Sequence, residues 1–71
     1  MNNSRKTAIS YAVTKRNQNR ALQELDEIGV DYYAYCERFV YSGSPVRLLN
    51  DIQRGSRKTL QNLAILEEEE I

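Results

Sequence analysis

Ile9, Tyr11 and Val13 alternate along Thr7 to Lys15, whereas Ala21, Leu22, Leu25 and Ile28 recur at helical spacing, and the two patterns are out of phase. On one continuous helix turning 100° per residue, the stripe Ile9, Ala12, Val13 would lie roughly 150° from the second cluster. One helix from Ser4 to Ile28 would therefore need two cores. A strand followed by a helix needs only one, with Thr14 as N-cap and Gly29 as the residue that ends the helix. The strand is the preferred reading and the long helix its rival.

Beyond Gly29, Asp31 is placed to cap a second helix through Tyr41 with the stripe Tyr32, Tyr35, Cys36, Phe39, Val40. The alternation of Tyr33, Tyr35, Phe39 and Tyr41 leaves a second strand as the other option. Ser42-Gly43-Ser44-Pro45 is a stop and restart, with Ser44 as N-cap and Pro45 at the first helical position. That helix is expected to bury Val46, Leu49 and Ile52 and to end at Gly55. A last one, capped by Ser56, carries Leu60, Leu63, Ala64 and Leu66 before Glu67 to Glu70, whose charge at a helix carboxyl end predicts fraying. The predicted organisation is a dimeric unit over residues 1–43 and a helical extension with an acidic tail over 44–71.

Size sharpens the problem. A chain of 71 residues has room for one small core, and such cores rarely supply more than ~3–5 kcal/mol. Cys36 is the single cysteine and there is no histidine, so neither an intrachain disulfide nor a common structural zinc site is open to it. A second chain is the expected staple. A solitary strand leads to the same place, because its unpaired edges are closed most simply by the same strand of a second copy.

A single alternating strand, a glycine-ended helix, a short turn and a second helix resemble the ribbon-helix-helix DNA-binding proteins of the MetJ and Arc type. The resemblance covers residues 6–42 and rests on Ile9 to Val13, on Leu22, Leu25 and Ile28 before Gly29, and on Asp31 to Val40. It implies a mainly α fold with one short β-strand per chain, a β-α-α dimer with carboxyl-terminal helices appended; the alternative is an all-α helical bundle. It also implies a strand in the major groove, with Ala8, Ser10 and Ala12 facing the bases and Asp31 and Tyr32 at the phosphate-holding helix end. Of these, Ser10 can hydrogen-bond a base and the alanines can touch a thymine methyl. Backbone contacts fall to Lys6, Thr14, Lys15, Arg16 and Arg20.

Net charge is zero, but the signs are sorted into blocks. Residues 1–20 hold Arg5, Lys6, Lys15, Arg16 and Arg20 and no acid. Residues 21–40 hold Glu24, Asp26, Glu27, Asp31 and Glu37 against Arg38, residues 41–60 are again basic, and the last eleven carry four glutamates. A basic block is the footprint of a polyanion partner. The function expected is a small homodimeric transcriptional regulator, repressor-like or antitoxin-type, bound to double-stranded DNA. The alternative is a helical protein-binding module or inhibitor that docks a partner without nucleic acid. Val46, Leu49, Ile52, Leu60 and Leu63 are the candidate partner-binding residues, and the acidic tail suits a basic protein.

An enzyme is not expected. Without histidine there is no Ser-His-Asp or Cys-His set, Gly29, Gly43 and Gly55 form no phosphate-cradling loop, and no cofactor or metal is implied. Nothing beside Glu24, Glu27 and Glu37 marks them as an acid–base pair. Cys36 reads as a small buried hydrophobe, and the tyrosines, four of them in the acidic block, read as packing residues. No apolar run approaches the ~20 residues of a membrane span. The stretch behind Arg5 and Lys6 is too short for a signal peptide, which predicts a cytoplasmic protein.

Overall fold

The computed structural model describes the backbone of residues 3–69 and the side-chain surroundings of residues 14–69. Four helices make up the fold: α1 (Asn3–Glu27), α2 (Tyr32–Phe39), α3 (Pro45–Arg54) and α4 (Arg57–Glu69). There is no strand among the described residues, so the ribbon-helix-helix arrangement and its shared strand give way to the all-helical alternative.

The correction has a direct physical cause. Residues 3–27 contain neither glycine nor proline. A helix closes their N–H and C=O groups within the segment, whereas a lone strand leaves both edges open. Ala8, Ser10 and Ala12 therefore lie on α1 and not on an outward strand face, and Thr14 sits inside the helix and caps nothing. The carboxyl-terminal half of α1 behaves as its spacing predicts. Ala21 and Leu25 are buried, with Gln18 and Leu22 half-buried on the same side.

Helix ends follow local chemistry. At the end of α1, Gly29 has φ 84° and the Val30 N–H reaches back to the Leu25 carbonyl at 2.8 Å. Gly55 closes α3 in the same way, with the Ser56 N–H donating to the Asp51 carbonyl at 2.9 Å; both are the six-to-one bond of a left-handed helix stop. Asp31 caps α2 by accepting from the Ala34 N–H, and Ser44 caps α3 by accepting from the Arg47 N–H, each at 3.1 Å. α2 is shorter than its spacing predicts. It ends at Phe39, and Val40 takes the left-handed conformation at φ 50° with its side chain 90% exposed, so Val40 is no part of the buried stripe.

One core joins the elements. Leu25 of α1, Tyr35 of α2 and Leu48 of α3 are buried together, with Phe39, Tyr41, Leu49, Leu63 and Leu66 among the side chains packed around them. α1 packs chiefly on α3. The Tyr35 ring meets Phe39 at 4.9 Å and Tyr41 at 5.4 Å, and its hydroxyl accepts from Asn62 of α4 at 3.1 Å. The α3 stripe is displaced from expectation, with Leu48 fully buried and Val46 42% exposed. On α4, Leu60 and Ala64 face outward, and the buried position is Thr59. Ser56, just ahead of α4, accepts from the Thr59 hydroxyl at 3.2 Å.

The turn between α2 and α3 is closed by tyrosines. The Tyr32 hydroxyl donates to the Gly43 carbonyl at 2.6 Å. Hydrogen bonding to the neighbouring Cys36 side chain, one turn along, and then burial push this hydroxyl up to about 12. Burial first, then the Asp51 carboxylate, raise Tyr41 as well. Cys36 itself is a half-buried free thiol.

Three substitutions check this packing. Leu48→Ala should cost ~2–5 kcal/mol, most of the stability of so small a core, while Leu60→Ala should change it by less than ~1 kcal/mol; urea unfolding followed at the helical circular-dichroism band separates them. Val40→Gly should stabilise the fold by roughly 1 kcal/mol, because a β-branched residue is strained in the left-handed region. No rise in the unfolding midpoint would contradict that end of α2.

Candidate partner-docking groove

The turn after α1 and the helices α2, α3 and α4 surround one hollow of about 410 Å³. Six apolar side chains line it: Ile28 and Val30 follow α1, Ala34 lies on α2, Ile52 on α3, and Leu63 and Leu66 on α4. Each reaches it for a local reason. Gly29 turns the chain at the end of α1, which leaves Ile28 outside the helix and 56% exposed. Leu63 and Leu66, three residues apart on α4, stand on one face with one flank against the core and the other in the groove.

The polar members of the lining are acidic. Asp31 and Glu67 stand in the groove, and among the described residues its lining contains no lysine or arginine. The carboxyl ends of α1 and α4 lie beside it and carry partial negative charge, while the amino end of α2, with partial positive charge, is capped there by Asp31. Asp26 and Glu27 in the last turn of α1 and Glu68 near the end of α4 are exposed and line no part of the groove. Such a surface offers burial to apolar side chains and attraction to cations.

Within the acidic tail, Glu69 is tied back to α2. Glu69 takes a bidentate hold on Arg38 of α2, accepting from Nη2 at 2.7 Å and from Nε at 3.0 Å. This ion pair lowers the Glu69 carboxyl below its ordinary value and raises the Arg38 guanidinium. α4 therefore stays helical through Glu69 despite the unfavourable dipole; Glu70 lies outside the described residues.

The sequence-predicted sites are divided by the fold. Ile52 and Leu63 of the partner-binding set line the groove, Leu49 packs into the core, and Val46 and Leu60 are exposed elsewhere. Of the DNA-binding set, Thr14, Lys15 and Tyr32 come together along a shallow hollow with Gln18, Asn19 and the exposed Tyr33. Arg16 and Arg20 are exposed on α1 and line no part of that hollow, and Asp31 caps α2 while facing the apolar groove. The side chains of Lys6, Ala8, Ser10 and Ala12 lie outside the described residues. Sequence reading missed Ile28, Val30, Ala34, Leu66 and Glu67 as groove residues. The available signal was Ile28 falling directly before a glycine stop, where a helical core position runs off the end of its helix.

Comparison with known proteins returns no matching family model, no similar curated protein and no similar solved structure. No helix among the described residues is long and apolar enough to cross a membrane.

Because the folded Glu69 carboxyl titrates below its ordinary value of 4.5, the stability it contributes is present above about pH 4.5 and lost as pH falls through the folded value. Glu69→Gln should therefore lower the melting temperature at neutral pH and leave it unchanged at pH well below that range. An equal loss at both would show that the clasp acts through packing and not charge.

Proposed function

We propose that this protein is a small helical docking module that takes a basic, amphipathic helix of a protein partner into the groove between α1, α2, α3 and α4. One observation carries the reading: six apolar side chains share a hollow whose only charged members among the described residues are Asp31 and Glu67. Helix-in-groove recognition uses this chemistry, with apolar anchors at helical spacing on the floor and complementary charge at the rim. The groove is built by the core itself, so docking requires no strand and no reordering of the fold.

A second reading, binding of duplex DNA, is supported by a separate surface. Lys15, Arg16 and Arg20 are exposed on α1, and no acid occurs in residues 1–20. In an all-helical chain such contacts would be made to the phosphate backbone from a helix face, without an inserted ribbon.

A labelled amphipathic Leu-Lys helical peptide, titrated with the full chain by fluorescence polarisation, tests the first reading. Binding is expected, with loss of about tenfold or more in affinity for Glu67→Lys and for Ile28→Lys. Both positions are exposed, so the fold should survive each change. Absence of peptide binding, together with random-duplex binding that falls steeply as salt rises, would replace the docking reading with the DNA one.

A further inference from the structure

We propose that the helix seated in this groove is the amino-terminal half of α1 from a second copy of the chain, so that two copies exchange their amino-terminal helices. The inference rests on the docking reading above and names its occupant.

The chain itself carries a segment of the required chemistry. Residues 1–20 hold five cations, Arg5, Lys6, Lys15, Arg16 and Arg20, and no acid. From Asn3 onward that block is helix, continuous with the rest of α1. Ile9, Ala12 and Val13 are spaced i, i+3, i+4 within it, flanked by Lys6 and Arg16 one turn away on either side. A short apolar stripe bounded by cations complements an apolar floor bounded by carboxylates.

The same register separates this stripe from the protein's own core. It lies roughly 150° around α1 from the positions of Ala21 and Leu25, which are buried against the other helices. Nor can the segment serve its own groove. At 1.5 Å per residue, position 9 stands about 27 Å along the axis from Glu27, and the groove begins at Ile28. α1 as a whole is about 37 Å long, in a molecule of 55 × 21 × 20 Å. The segment reaches away from the groove of its own chain, so a second copy must supply the helix.

Charge order along α1 points the same way. Cations stand at its amino end and Glu24, Asp26 and Glu27 at its carboxyl end, the reverse of what a helix dipole favours. That arrangement does not serve the helix in isolation. Between two antiparallel copies it sets the basic half of each against the acidic end of the other, and a net charge of zero opposes no approach. The contact is made twice about a two-fold axis, once by each arm, which closes the assembly. It also adds apolar burial to a chain whose fully buried hydrophobic residues are few.

Sedimentation of the full chain through the micromolar range tests the proposal, using one variant for each side of the contact. Ile28→Lys spoils the groove and leaves the arm intact; Ile9→Glu spoils the arm and leaves the groove intact. Wild type should sediment as a dimer, and each variant should raise the dimer dissociation constant at least about tenfold with an unchanged circular-dichroism spectrum. Mixed one to one, the two variants should recover a heterodimer, because one sound arm still meets one sound groove. A monomeric wild type, a dimer indifferent to both changes, or failure of the mixture to recover would each overturn the exchange. If the wild type is monomeric and the Leu-Lys peptide still binds at Ile28 and Glu67, the occupant alone is wrong; if the peptide also fails to bind, the docking reading falls with it.

Discussion

Backbone hydrogen bonding in α1 is the constraint from which the rest of this molecule follows. A run from Asn3 to Glu27 with no glycine or proline satisfies its own N–H and C=O groups as a helix. Once that helix is continuous, its buried side is set by Ala21 and Leu25; α3 and α2 pack against α1, and α4 packs on α3 and α2. α3 lies closest, through Leu48, and α2 enters through Tyr35. The basic amino-terminal half then extends along the axis away from the elements that form the core.

That asymmetry separates the two chemistries of the chain. Cations occupy the first part of α1, while Asp31, the cap of α2, and Glu67 near the end of α4 bring carboxylates to one hollow. The groove and the core share residues. Ile52, Leu63 and Leu66 pack against Leu25, Tyr35 and Leu48 on one side and line the hollow on the other, so its shape is held by the same contacts that hold the fold. The Arg38–Glu69 clasp keeps the end of α4, and with it Leu66 and Glu67, helical beside α2.

Much of the local structure was legible in the sequence. Gly29 and Gly55 end their helices in the left-handed region, Asp31 and Ser44 cap theirs, and Pro45 opens α3, because each of these acts through its own side chain or backbone within a turn. The alternation of Ile9, Tyr11 and Val13 misled for an equally local reason. Three residues at period two fit a strand, but the pattern says nothing about where the strand's hydrogen-bonding partner would come from, and the chain contains none among its described residues. The end of α2 escaped because Val40 carries no stop signal, and adopts φ 50° with the chain turning toward Tyr41 and Gly43.

The amino-acid sequence by itself determined the helix boundaries at their capped ends, the sorting of charge into blocks, and the lack of histidine and of paired cysteines. These depend on residue identity and on neighbours a few positions away. Tertiary structure alone decided that Leu48 and not Val46 is buried, that Ile28, Val30, Ala34, Ile52, Leu63 and Leu66 share one hollow with Asp31 and Glu67, and that Glu69 pairs with Arg38. Those residues come from three helices and the turn after α1, and lie far apart along the chain. Only the packing of α1, α2, α3 and α4 around Leu25, Tyr35 and Leu48 brings them within contact distance.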